Sequence, residues 1–159
     1  MKVAVFPGSF DPVTLAHQDI VLRALELFDR IIVAVGTNST KQGLLSTDDR
    51  VAILQEVFAE VSDRVEVTTY KGLTVDYCRQ AGANYILRGL RNTNDFEFEY
   101  AIAQNNKHLA PEIDTIFLMS TSGLGHISST IVRDVTLHKG DISSMVPAAV
   151  ISYMERKSR

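Results

Sequence analysis

His17, Lys41, Arg88, Arg91 and the hydroxyl run Ser128-Ser129-Thr130 are the residues of this chain whose types suit one kind of chemistry, the handling of phosphate. A guanidinium offers phosphate oxygens a fork of donors, an ammonium supplies a point charge, and the free N–H groups of a helix N-terminus add partial positive charge. An imidazole among them can donate to charge that grows on a phosphoryl oxygen. Taken singly, each has a plainer reading: Lys41 as a loop charge, the arginines as salt-bridge partners, the serines as a helix cap and His17 as a helix-surface side chain. Their recurrence after successive apolar stretches favours a shared site.

The elements that must position them are legible as alternating strands and helices. Lys2 to Phe6 is β-rich and apolar and should stop at Pro7-Gly8, because proline has no N–H for a sheet ladder and glycine lets backbone approach a ligand. Asp11-Pro12 marks a turn, after which Ile20, Val21, Ala24, Leu25 and Phe28 form a helical stripe. Ser9, Phe10 and His17 thus fall near the carboxyl end of a first strand, where open α/β sheets bind ligands.

Arg30 to Val35 reads as a second strand, followed at once by a polar loop that carries Lys41. Ser46 or Thr47 can cap the next helix, which buries Val51, Leu54, Phe58 and Val61. Val65 to Thr69 alternates as a third strand, and Thr74 is placed to cap a short helix containing Val75, Cys78 and Ala81. Asn84 to Leu87 is a fourth strand ending at Arg88-Gly89-Leu90-Arg91, and a helix should run from Asp95 to about Leu109. Asp114 to Met119 is the fifth strand. Ser128 to Thr130 then cap a helix bearing Ile131, Val132 and Val135 with Gly140 as its stop, and Pro147 opens a terminal helix. Strands alternating with helices predict an α/β fold with a five-stranded parallel sheet flanked by helices.

Composition narrows the function. The 159 residues suit a single domain, 1–159, and 45% hydrophobic content suffices for a core. A net charge of −3 argues against a nucleic-acid surface, so an anion site must be assembled locally. The single cysteine, Cys78, excludes an intrachain disulfide and reads as a packed helix residue. No stretch has the length of a membrane span and no signal-peptide pattern opens the chain, so a soluble cytoplasmic protein is expected. The G-x-x-x-x-G-K-[ST] and G-x-G-x-x-G phosphate loops are missing, as is the G-x-S-x-G elbow, and no His/Asp/Glu cluster has metal-ligand spacing.

The stretch Gly8-Ser-Phe-Asp-Pro-Val-Thr-Leu-Ala-His17 resembles the signature of the nucleotidyltransferase superfamily, GxFDPxTxGH in one branch, with Ala16 in place of the usual glycine. Ile86-Leu-Arg-Gly-Leu-Arg91, Asp95-Phe-Glu-Phe-Glu99 and Ile127-Ser-Ser-Thr-Ile-Val-Arg133 extend the likeness across nearly the whole chain, to the bacterial phosphopantetheine adenylyltransferases. The resemblance implies a Rossmann-like domain that converts ATP and 4′-phosphopantetheine to dephospho-coenzyme A and pyrophosphate, assisted by Mg2+ bound mainly through the ATP phosphates. It places Ser9, Phe10, His17, Gly89, Leu90, Arg91, Glu99, Leu124, Gly125, His126, Ile127, Ser128, Ser129 and Thr130 around ATP. Around the acceptor it places Ser9, Lys41, Thr74 and Arg88, with Thr74 where relatives commonly carry a larger apolar residue. Phe98 stands where tyrosine is common.

His17 is then the transition-state stabiliser, Lys41 orients the nucleophile, and Arg91 with Ser128 to Thr130 takes the pyrophosphate end. The family likeness further implies a homohexamer and feedback binding of coenzyme A. Two alternatives stay open at this level: a related enzyme with another acceptor, such as nicotinate mononucleotide, and a nucleotide-binding regulatory module without turnover.

Overall fold

The computed structural model of the chain describes residues 1–37 and 43–159, so Lys41 lies outside the described residues. Strands β1 (Val3–Gly8), β2 (Arg30–Gly36), β3 (Val65–Tyr70), β4 (Tyr85–Leu90) and β5 (Asp114–Met119) form one sheet in the order β3-β2-β1-β4-β5. Every pairing is parallel. Helices α1 (Leu15–Ala24), α2 (Thr47–Val57), α3 (Thr74–Ala81), α4 (Thr93–Leu109), α5 (Ser129–Leu137) and α6 (Ala148–Lys157) alternate with or follow the strands. Strand order reverses between β1 and β4, which makes the gap beyond their carboxyl ends the topological switch point of the sheet.

The side-chain period of two divides each central strand between two cores. Ala4 and Phe6 of β1 and Ile31, Val33 and Val35 of β2 join Ile20, Val21 and Ala24 of α1, Ile53 and Leu54 of α2, Val132 of α5 and Val150 of α6. Val3 and Val5, with Ile32 and Ala34, turn the other way onto Val75 and Cys78 of α3 and onto Ala110 and Ile113. Burial pushes the Cys78 thiol up to about 11, so this cysteine is protonated at neutral pH and packs as a small apolar side chain. No helix among the described residues is long and apolar enough to cross a membrane.

β2 and β3 each run one residue further than the sequence suggests, to Gly36 and Tyr70, and β1 and β4 run two or more further, which matters to the site. β1 continues through Pro7 and Gly8, which lie opposite Ala34 and Val35 of β2. On its other edge β1 meets β4 only at Ala4 opposite Tyr85 and Val5 opposite Ile86. A residue in a strand directs its N–H and C=O to the same neighbour, and the Pro7 carbonyl accepts from Arg88 of β4 at 2.6 Å. The missing proline donor therefore faces a ladder that has already ended. β4 in turn extends through Leu90 alongside β5, so Arg88 and Gly89 are strand residues and only Arg91 lies beyond the strand.

Smaller corrections concern helix ends. Ser46 is the cap of α2, its Oγ accepting from the Asp49 N–H. Thr74 is the first residue of α3, with Leu73 in the cap position, and its hydroxyl pairs with Tyr70 instead. Asn92 caps α4 through the Asp95 N–H, which starts that helix two residues before Asp95. α5 ends at Leu137 with Lys139, at φ 59°, taking the left-handed turn that the sequence assigns to Gly140. Pro147 occupies the cap position of α6 and lies just outside the helix.

Candidate active site

The loop from Ser9 to Thr14 is clamped from both sides. Asp11 is 5% exposed, and its carboxylate accepts from the Leu44 and Leu45 N–H groups at 2.9 and 2.8 Å, with Arg50 Nε 3.5 Å away. From α5, Arg133 donates to the Asp11 carbonyl and Ser129 Oγ to the Pro12 carbonyl, both at 2.8 Å. Phe10 is held at φ 49°, a backbone region uncommon for a side chain of its size, with its ring packed edge-on to Phe6 and His17 at centroid distances of 5.4 and 5.1 Å. A β-carbon at Gly8 would come within 3.0 Å of that ring, so glycine is what lets the aromatic fold back over the strand end.

α1 begins directly after this loop, and its cap fixes the histidine. Thr14 Oγ1 accepts from the His17 N–H, while the Thr14 N–H donates to His17 Nδ1 at 3.0 Å. An N–H donor requires a bare acceptor, so Nδ1 carries no hydrogen and the proton of the neutral ring sits on Nε2. Burial, then the charges of Arg88 and Arg91, lower the pKa of His17 to about 4. At neutral pH the ring is therefore an uncharged Nε2–H donor in a fixed orientation.

Two clefts adjoin this junction. The larger holds about 840 Å³ of empty space, mouth included, and its walls include Ser9, Phe10, His17, Gly89, Arg91, Glu99, Ile127, Ser128 and Ser129. The smaller, about 560 Å³, is lined by Tyr70 and Thr74 on one side, Ile102, Ala103 and Asn106 of α4 on another, and Ile86 and Thr115 of the sheet. Pro7, Gly8, Arg88 and Glu99 belong to both. Arg88 grips both oxygens of Glu99, Nε to Oε2 at 2.8 Å and Nη2 to Oε1 at 2.6 Å, and its remaining arm holds the Pro7 carbonyl. Glu99 is 8% exposed, so this bidentate pair is a partly buried partition between the clefts. Arg91 is likewise held by Asp95, whose carboxyl the guanidinium hydrogen bonds keep below the usual carboxylate range.

The structure thus brings most of the sequence-identified residues to the clefts, but not all of them. Leu90 lies in β4 opposite Met119, and Thr130 accepts from Arg133; neither forms part of a cleft wall. Leu124, Gly125 and His126 occupy the turn after β5 and also stand outside the walls, although a β-carbon at Gly125 would sit 3.8 Å from the Arg91 carbonyl. Phe98 is 68% exposed and points to neither cleft. Sequence reasoning missed Asp95 and Thr14 as site residues, and Tyr70, Ile102 and Asn106 as walls. The α4 set had a signal: positions 99, 102, 103 and 106 recur at helical spacing on one face.

Comparison with known proteins decides the family. The Cytidylyltransferase-like family model matches residues 5–135. The chain is 57% identical over 150 residues to the phosphopantetheine adenylyltransferase of Christiangramia forsetii, covering 94% of this chain and 98% of that one. It is 46% identical over 157 residues to the phosphopantetheine adenylyltransferase of Geotalea daltonii, covering 99% and 97%. The chain belongs to the phosphopantetheine adenylyltransferase family. A solved structure from Vibrio parahaemolyticus, assigned by name to the nicotinate-nucleotide adenylyltransferases, superposes with a TM-score of 0.69 over 94% of this chain. At 18% identity it shows the shared Rossmann-like fold.

Within this phosphopantetheine adenylyltransferase family the motif threonine, Thr14, has a local task here: it caps α1 and fixes the tautomer of His17. The linkage has a definite sign. With a folded pKa near 4 against an ordinary 6.5, the native state resists protonation, so the stability tied to neutral His17 is complete above pH 6.5 and is lost as pH falls towards 4. Nitrogen-15 NMR of the imidazole should show the Nε2–H tautomer persisting through pH 6.5 and titrating only near 4. Titration at the ordinary histidine value, or an Nδ1–H signal at neutral pH, would overturn this account.

Proposed function

We propose that the protein transfers the adenylyl group of ATP to 4′-phosphopantetheine, giving dephospho-coenzyme A and pyrophosphate in coenzyme A biosynthesis. The observation that carries this reading is the pair of adjoining clefts divided by Arg88 and Glu99, with room for a nucleotide on one side and an acceptor on the other. An oxygen of the acceptor phosphate attacks the α-phosphorus of ATP, and the bond from that phosphorus to the bridging oxygen of the β-phosphate breaks. The electron pair leaves with pyrophosphate. The nucleophile is already an anion, so positioning and charge neutralisation replace a general base.

His17 suits the α-phosphoryl oxygens, because a neutral, oriented Nε2–H can strengthen its hydrogen bond as charge develops without first giving up a proton. Arg91 and the Ser128–Ser129 start of α5 suit the departing pyrophosphate, and Arg88 suits the acceptor phosphate at the boundary. Lys41 is assigned to the same phosphate on the family resemblance. Leu90, Leu124, Gly125, His126 and Thr130 are assigned to ATP on that ground too, and the closeness of Gly125 to the Arg91 backbone supports the turn's place beside the nucleotide. The carboxylates around the clefts are engaged by cations, Glu99 by Arg88, Asp95 by Arg91 and Asp11 by Arg50. This supports Mg2+ that would be held mainly through ATP phosphate oxygens and water, where it would supply charge neutralisation.

Coenzyme A carries the same pantetheine arm beside an adenine nucleotide, so it fits as a feedback ligand spanning both clefts. Assembly as a homohexamer is supported by exposed apolar side chains on α4 and β5, Phe96, Phe98, Tyr100, Ile102 and Met119, which ask for cover. A cytoplasmic setting is part of the same proposal.

An acceptor panel tests the assignment. ATP with 4′-phosphopantetheine should yield dephospho-coenzyme A, and nicotinate mononucleotide should not be adenylylated; the opposite outcome rejects it. Folded His17→Ala should lose roughly a hundredfold to a thousandfold in kcat, about 2.7–4 kcal/mol, with ATP affinity changed much less. Near-normal kcat would remove His17 from the chemistry. Sedimentation velocity at micromolar protein should give a hexamer, and a monomer across that range would reject the assembly while leaving the enzyme intact.

A further inference from the structure

Ile20 of α1 and Ser120, the residue after β5, both line the larger cleft, and beside them the two elements are tied by a closed set of hydrogen bonds. Asp19 and Arg23 stand one helical turn apart on α1, with Arg23 Nη1 donating to Asp19 Oδ2 at 3.1 Å. The same Oδ2 accepts from the Thr121 hydroxyl at 2.7 Å, and the same Nη1 donates to the Met119 carbonyl at 2.8 Å. A helix-surface ion pair needs neither of these. Here each member has a second partner, 102 residues further along the chain for Asp19 and 96 for Arg23.

The Met119 carbonyl is open to Arg23 because β5 is an edge strand of the sheet. Ser120 donates to the Leu90 carbonyl of β4 at 2.8 Å, and successive strand residues point their backbone groups to opposite sides, so the Met119 C=O faces the unpaired edge. Beyond Thr121 the chain turns twice, the Leu124 N–H donating to the Thr121 carbonyl at 3.0 Å and the Ile127 N–H to the Leu124 carbonyl at 3.1 Å, with Gly123 at φ 89°. It then arrives at Ile127, Ser128 and Ser129 in the wall of the larger cleft. Fixing Met119 and Thr121 therefore fixes where these turns begin. His17 lies on the same helix, two residues before Asp19, so α1 both carries the imidazole and anchors another wall of its cleft.

We propose that Asp19 and Arg23 are positioning residues for the nucleotide, holding the β5–α5 turn against α1 so that the larger cleft is shaped for ATP before ATP arrives. The proposal rests on the adenylyltransferase reading above and adds to it residues that stand outside the cleft walls. A turn released from α1 has to be ordered during binding, and that ordering free energy is subtracted from the affinity for ATP. The smaller cleft, walled by Tyr70, Thr74 and the 102–106 side of α4, has no member in this set, so its ligand should not feel the loss.

The test is calorimetric titration of ATP and, separately, of 4′-phosphopantetheine into wild type, Asp19→Ala, Arg23→Met, Thr121→Val, Thr121→Ser and the Asp19→Ala/Thr121→Val double variant, with steady-state kinetics alongside. Asp19→Ala, Arg23→Met and Thr121→Val should each weaken ATP binding roughly 3- to 10-fold and raise KM for ATP in step, with kcat at saturating ATP and 4′-phosphopantetheine binding unchanged. Asp19 and Thr121 share one hydrogen bond, so the double variant should lose less than the product of the two single losses. Thr121→Ser keeps the hydroxyl and should bind ATP as wild type does. Unchanged ATP binding in the Asp19→Ala, Arg23→Met and Thr121→Val proteins overturns the proposal, as does an equal loss for both ligands, which would mean that the sheet had merely deformed. Thr121 is exposed, so Thr121→Val decides the question even where a change within α1 prevents folding. A wild-type protein that binds no ATP overturns the nucleotide reading itself, a result distinct from variants that bind ATP as well as wild type does.

Discussion

The site depends on the early parting of β1 and β4. Parallel strands in register leave no space between them, and here the ladder ends after two residue pairs while both strands continue. The side chain of Arg88 enters the opening, donates to the Pro7 carbonyl that the ladder has left free, and anchors on Glu99 of α4. One guanidinium thereby satisfies a strand end, ties a helix to the sheet and divides the open space into two clefts. The arrangement also accounts for Pro7, which would disrupt a paired strand but sits where no donor is wanted.

Around that partition the charges are arranged as held pairs. Arg88 and Arg91 each close a two-point contact on a carboxylate, and Asp11 receives two backbone donors beside Arg50. Such pairing lets cations be concentrated at a strand end without mutual repulsion unfolding it, and it holds the guanidinium planes in place before any phosphate arrives. Their field, added to burial, keeps His17 neutral. The Thr14 cap then decides which nitrogen carries the proton. Helix initiation and the orientation of an electrophilic donor are thus the same few hydrogen bonds.

The elements themselves were largely readable in the sequence because their signals are local. Apolar alternation and helical stripes located the strands and helices, and the parallel sheet followed from their alternation. Individual ends were less secure. Pro7 and the Arg88-Gly89-Leu90 run look like terminators, yet partner strands carry the chain through them. Gly140 looks like a helix stop, yet a β-carbon there would come within 2.6 Å of Val135, and it is Lys139 that turns left-handed.

For the chemistry, the sequence by itself determined the residue types, their order after successive strands, and a family likeness that the relatives bear out. It placed His17 beside Ser9 and Phe10 because a strand, a turn and a helix start follow one another directly. Contacts between distant segments were decided only by the tertiary structure: Arg88 on Pro7, Ser129 on Pro12, Arg133 on Asp11, and Tyr70 and Thr74 facing the 102–106 side of α4. Strand order is the physical reason. Placing β1 beside β4 brings together side chains some eighty residues apart, and no local periodicity encodes which strands become neighbours.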